Sequence, residues 1–165
     1  MKVMLKDTQS GNLVAAEIKV ASFADMPLKK DGWQFNWREL YGQKKNALFF
    51  KLALENTPNI AEGMAMFTIL DFGLLYMDCI EVSPQNYGSK GHYDHVAGCL
   101  LAYGCYLSRQ YGEEAYKGFL SFDSKTVLIE LYIKKYGASH AGGQKLYFSD
   151  IAGNKLMATY LTGDK

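Results

Sequence analysis

From Leu48 to Leu54 apolar residues recur at every second position, and from Val96 to Leu107 they recur every third or fourth. The change of period constrains the fold more than any other feature. A period of two is buried by a strand and a period near 3.6 by a helix, and neither element can hide the other's stripe. In the first part Leu48, Phe50, Leu52 and Leu54 alternate with Lys51 and Glu55. Asn56-Thr57-Pro58-Asn59 then reads as a turn, Met64–Phe72 as a second strand and Leu74–Val82 as a third beyond the Phe72-Gly73 break. Three strands in succession imply an antiparallel meander. Past Tyr93, the residues Val96, Leu100, Tyr103 and Leu107 form one stripe of a helix reaching Arg109. The small Ala97, Gly98, Ala102 and Gly104 on that helix would let it lie close to a sheet.

The flanks extend this order. Leu13–Ala21 reads as an earlier strand. Phe23–Tyr41 is mixed, with Trp33, Phe35 and Trp37 as apolar anchors and a short helix around Trp37–Tyr41. Gly118–Phe122 is a short strand. Asp123 or Ser124 is the expected N-cap of a helix carrying Val127, Leu128, Leu131, Tyr132 and Ile133, with Gly137 at its C′ position. Gln144–Ser149 reads as the last strand. The tail at 151–162 fits a helix capped by Asp150 better than a strand. A meander followed by helix, strand, helix and strand is an α+β (mixed α/β) three-layer domain, and residues 1–165 suffice for one such domain.

Composition narrows the partners. The chain is 48% hydrophobic and 21% charged with a net charge of +1, a globular balance with no global field for a polyanion. No nucleic-acid partner and no membrane partner are expected, and no apolar run is long enough to cross a bilayer. Lys2 and Lys6-Asp7 interrupt the start of the chain, against a signal peptide. Cys79, Cys99 and Cys105 are odd in number and sit among apolar residues, which implies free thiols and a reducing, cytoplasmic setting.

Residues 78–95 carry the most direct pointer to a ligand. A strand ends at Ile80-Glu81-Val82-Ser83-Pro84, and the loop Gln85-Asn86-Tyr87-Gly88-Ser89-Lys90-Gly91 leads into a helix start. Free N–H groups and the helix dipole at such a junction hold phosphates, and Lys90 and His92 add positive charge. On an unbroken strand Tyr76, Asp78, Ile80 and Val82 share one face while Met77, Cys79 and Glu81 share the other, so Asp78 and Glu81 would not line one site. His92, Asp94 and His95 cluster at the helix start, but no further ligands stand at metal-binding spacing, and no metal is expected.

The series Val82-Ser83-Pro84, Gln85-Asn86-Tyr87-Gly88, the helix Tyr93–Arg109, the strand Gly118–Phe122, Leu131-Tyr132 and Gly137-Ala138 resembles the coenzyme-binding core of the GNAT acyltransferase superfamily. The resemblance covers about a third of the chain. Lys90 stands where the family has Gly or Ala, Lys125 replaces a common asparagine, and Ala138 replaces phenylalanine. The resemblance implies a central, mostly antiparallel sheet with a splayed coenzyme-binding strand. It also implies acetyl-CoA as co-substrate, held by Ile80, Val82, Gln85, Asn86, Tyr87, Gly88, Ser89, Lys90, Gly91, His92 and Tyr93. The implied reaction is acetyl transfer to a primary amine of unknown identity, with Tyr132 protonating the leaving thiolate. Asp78 is the preferred base or water-orienting group on position alone. Tyr132 as a core tyrosine, Asp78 as a structural carboxylate, and a coenzyme-binding or regulatory protein without turnover are the competing readings, beside an interaction module with no ligand. Oligomeric state is open, a homodimer included.

Overall fold

The computed structural model describes residues 1–43 and 46–161. Its strands are β1 (Lys2–Asp7), β2 (Leu13–Val20), β3 (Ala47–Leu54), β4 (Gly63–Ile69), β5 (Leu75–Val82), β6 (Tyr93–Asp94), β7 (Leu120–Asp123), β8 (Ser139–Gly142) and β9 (Lys145–Phe148). Its helices are α1 (Trp37–Gln43), α2 (Val96–Tyr111), α3 (Ile129–Tyr136) and α4 (Asp150–Tyr160). The strands form one sheet in the order β6-β1-β2-β3-β4-β5-β7-β9-β8. Among the described residues every pairing is antiparallel except that of β5 with β7. The expected α+β, mostly antiparallel architecture is the one observed.

Two cores sandwich the sheet. The larger lies under α2, α3 and α4 and includes Leu52, Phe67, Leu75, Leu100, Leu120, Phe122 and Phe148. The smaller lies under the segment from Ala21 to α1 and contains Trp33, Trp37, Phe49, Met64 and Met66. Trp33 and Trp37 therefore anchor this core, while Phe35 remains 36% exposed. No helix among the described residues is long and apolar enough to cross a membrane.

Several boundaries differ from the sequence expectation. β1 went unread because Lys2, Lys6 and Asp7 interrupt it, yet Val3 and Leu5 are fully buried. α2 begins three residues later than expected, because Tyr93 and Asp94 pair with β1 as a short edge strand and His95 adopts φ 76°, which no helix continues. Neither Asp123 nor Ser124 caps α3. Asp123 ends β7, a 3-10 turn at Thr126–Leu128 intervenes, and Leu128 holds the N-cap position. Gly137 does close α3 in the left-handed conformation, its N–H reaching Ile133 O at 3.1 Å. The tail is a helix, but its cap is Ser149, whose hydroxyl accepts from Ala152 N at 3.2 Å, with Asp150 one position inside. Gly104 meets the sheet as expected, against Phe67 and Leu120, whereas Gly98 faces Tyr160 of α4.

Candidate functional site

β5 and β7 run parallel and pair over three positions only, Leu75 with Leu120, Tyr76 with Ser121 and Met77 with Phe122. β5 then continues to Val82 while β7 stops at Asp123, so the strands part. A sheet that opens between parallel strands exposes main-chain donors and acceptors on both sides, which suits a ligand lying across the C-terminal strand ends.

A β-bulge sits at the fork. Cys79 pairs with Met66 and Met77 with Phe67, leaving Asp78 as the extra residue of β5. The insertion reverses the alternation below it. Leu75 and Met77 join Ile80 and Val82 on the larger-core face, and Cys79 lies against the smaller core. The expectation that Tyr76 shares a face with Ile80 and Val82 is thereby corrected. So is the expected separation of Asp78 from Glu81. The Asp78 carboxylate accepts from Thr68 Oγ1 at 2.6 Å, on the face of β4 that carries Met64 and Met66, and Glu81 opens to the same side. Across the fork on this face, Tyr76 donates its hydroxyl to Asp123 at 2.6 Å. Burial first, and then Asp123, push the Tyr76 hydroxyl above its ordinary value.

Glu81 is only 5% exposed and serves as an acceptor for four donors. These are Gln34 N at 2.6 Å, Phe35 N at 3.2 Å, Trp37 Nε1 at 2.9 Å and Tyr87 Oη at 3.2 Å. Burial, followed by the Glu81 charge, pushes Tyr87 up to about 12. The carboxylate binds the segment over the sheet to the loop after β5.

That loop makes 3-10 turns at Pro84–Asn86 and Gly88–Lys90. Asn86 points inward. Its Nδ2 donates to Glu62 Oε2 at 2.6 Å and Ser83 Oγ at 3.0 Å, and its Oδ1 accepts from Tyr93 N at 3.0 Å. Its side chain braces the loop from beneath. Gly88 has φ 65° with no atom near a Cβ position, so its face is open, and Ser89 and Lys90 beside it are exposed. Gly91 is packed on the Asn86 carbonyl and is held by its N–H to Gly88 O. His92 N returns to Gln85 O at 2.9 Å.

Tyr132 of α3 lies edge-on against Phe122, the last β7 residue paired to β5, with centroids 4.9 Å apart. Burial, then neighbouring Tyr136, push its hydroxyl above 10. Cys99 and Cys105 are pushed up to about 12 by burial, leaving them protonated thiols. No group of three or more metal-ligating side chains occurs among the described residues. A cavity of about 490 Å3 opens elsewhere, between the ends of β2 and β3 and the end of α2, and no candidate residue lines it.

No protein-family model matches the chain, and no curated protein matches it. Solved structures do. A mutant AtaT toxin bound to the C-terminus of the antitoxin AtaR and acetyl-CoA is 16% identical, over 86% of this chain and 98% of that one, with TM-score 0.61. The KacTA–DNA complex gives 8% identity, 87% and 99% coverage and TM-score 0.63. An acetyltransferase of the GNAT family from Staphylococcus aureus Mu50 gives 7%, 80% and 97%, and 0.51. The fold is that of the GNAT acetyltransferases. The expectation of no nucleic-acid partner is corrected by the second of these, a chain of the same fold in a complex with DNA. A near-neutral net charge does not exclude such an assembly, because a partner protein can supply the basic surface.

Proposed function

We propose that this chain transfers an acetyl group from acetyl-CoA to an amine. The observation that carries the reading is the parallel fork of β5 and β7 with Tyr132 packed on Phe122 at its closed end. The thioester would lie in the fork, along Ile80 and Val82. The loop from Gln85 to Tyr93 would hold the diphosphate, through the open face at Gly88, Ser89 and Lys90, while Asn86 braces it. The amine would approach from the other face, where Asp78 and Asp123 stand.

The chemistry needs few groups. The amine nitrogen bonds to the thioester carbonyl carbon, and its proton passes to Asp78, directly or through water. The carbon–sulfur bond breaks, and Tyr132 gives its proton to the departing thiolate. Tyr132 is suited to this because its raised pKa keeps it protonated at neutral pH.

Titrating acetyl-CoA in a thermal-shift or calorimetric assay tests binding. A ligand specific for the folded chain adds about 2.7 kcal/mol of apparent stability at a hundred times its Kd, and no shift at saturation would remove the coenzyme reading. Thiol release over an amine panel tests turnover. Its loss in Tyr132→Phe with binding retained is the expected result, and unchanged release would remove Tyr132 from its role.

A second reading concerns partners. The fold also occurs in a toxin bound to its antitoxin and in a complex with DNA. An acetyltransferase held by a companion protein on DNA is therefore the assembly to test, by co-purification from the native host.

A further inference from the structure

The loop after β5 is pinned at both ends and open in its middle. Before the middle, the Asn86 side chain is bonded to Glu62, Ser83 and Tyr93. After it, Gly91 N reaches Gly88 O at 3.2 Å and His92 N reaches Gln85 O at 2.9 Å. Between these ties stand Tyr87, Gly88, Ser89 and Lys90, all exposed. Among the described residues, Tyr87 is the one of the four whose side chain makes a hydrogen bond, from its hydroxyl to Glu81 Oε2 at 3.2 Å. Burial first, and then the Glu81 charge, push that hydroxyl up to about 12, so at neutral pH it keeps its proton and donates.

The acceptor of that bond is fixed from another part of the chain. Gln34 N, Phe35 N and Trp37 Nε1 hold the Glu81 carboxylate at 2.6, 3.2 and 2.9 Å. All three belong to the segment over the smaller core, on the face from which the amine would approach. The same segment meets the loop a second time. Gly32 takes φ 99° and lies on Pro84, whose Cγ would stand 3.0 Å from a Cβ at that position. The first half of the coenzyme loop is thus keyed to the acceptor-side segment at two points, Pro84 and Tyr87.

We propose that Tyr87 is a positioning residue: acting through Glu81, it lets the segment 32–37 hold the open face at Gly88, Ser89 and Lys90 in place for the coenzyme diphosphate. The inference rests on the coenzyme reading above. A loop already held in its binding shape loses less conformational freedom when it takes a ligand. Without the hydroxyl that ordering falls to the ligand, and affinity drops. The link is reciprocal. A diphosphate that fixes the loop fixes Tyr87, and through Glu81 it steadies the N–H groups of Gln34 and Phe35 on the far side of the carboxylate.

Tyr87→Phe keeps the ring and removes the hydroxyl. The test measures acetyl-CoA binding by calorimetry in the wild-type chain and in this variant, and follows amide exchange in both with and without acetyl-CoA. The expected result is binding about 5-fold weaker or more in Tyr87→Phe. Acetyl-CoA should slow exchange at Gln34 and Phe35 in the wild type and leave it unchanged in the variant, a response that a merely structural hydroxyl would not give. Equal or tighter binding by Tyr87→Phe overturns the proposal and leaves the coenzyme reading standing. So does slowing at Gln34 and Phe35 that is the same in both chains or absent from both. Absence of binding by the wild type overturns both. Should Tyr87→Phe fail to fold, the wild-type chain decides: slower exchange at Gln34 and Phe35 with acetyl-CoA supports the link, and unchanged or faster exchange overturns it.

Discussion

Trp37 donates its indole N–H to the buried Glu81 carboxylate at 2.9 Å, which ties the helix over the sheet to the bulged strand beneath. With Gln34 N, Phe35 N and Tyr87 Oη on the same group, four donors depend on one side chain. Glu81→Gln keeps the shape but turns an amide N–H₂ toward donors. Hydrogen bonds to a charged group contribute about 1.5–3 kcal/mol each and buried donors left unpaired cost more. Glu81→Gln should lose about 3 kcal/mol in urea unfolding. A loss under about 0.5 kcal/mol, the range of ordinary surface changes, would refute this account of how the segment is held.

The ion pair of Lys51 with Asp25, at 2.5 Å, sets a pH dependence. Burial raises the Asp25 pKa, but Lys51 and Ser22 outweigh it and hold it below the ordinary 3.8. A folded-state pKa below the unfolded one contributes stability that is present above the unfolded value and is lost as pH falls through the folded one. Asp25→Asn should therefore be less stable than the wild type at pH 7, and the gap should close as pH falls below 3.8. Unfolding curves measured across that range check the sign. A gap that is constant with pH would mean that the Asp25 charge does not contribute.

The meander and the α2 stripe were legible because apolar alternation and a 3.6 period leave different residues exposed. β8 was not legible, since Ser139-His140-Ala141-Gly142 has Ala141 as its one apolar side chain, too little to form a pattern, and is defined by its pairing with β9. The site was half legible. Its loop stood out as a glycine-containing turn between a strand and a helix, and Tyr132 only through the family resemblance. The bulge left no compositional trace, and one inserted residue was enough to exchange the faces of Tyr76 and Met77 and bring Asp78 and Glu81 to one side. The brace at Asn86 and the ring over Gly98 join residues 24 and about 60 positions apart, contacts that no local pattern encodes.

Gly104 shows where packing overrides propensity. Alanine is favoured over glycine in a helix by about 1 kcal/mol. Here the new Cβ would lie 2.7 Å from Phe67 Cε1 and 2.8 Å from Leu120 Cδ2, both on buried side chains of the sheet. Overpacking of that kind costs about 1–3 kcal/mol. Gly104→Ala should destabilise by roughly 1 kcal/mol net, read as a lower urea midpoint at unchanged slope. A stabilised variant would show that α2 can move off the sheet.

The acid proposed for acetyl transfer predicts the alkaline limb of the rate. Tyr132 gives a proton, so the rate falls where its hydroxyl ionises. Burial and Tyr136 place that ionisation above the ordinary 10. Asp78 is the base proposed to take the proton of the amine. Asp78→Asn should lower kcat/KM about 10²-fold near neutrality, while acetyl-CoA binding is kept. Tyr132→Phe should lower kcat and erase the fall above pH 10. Because the two residues lie on opposite faces of the sheet, their effects on binding and on ionisation are separable. An alkaline fall that persists in Tyr132→Phe would assign the proton to another group.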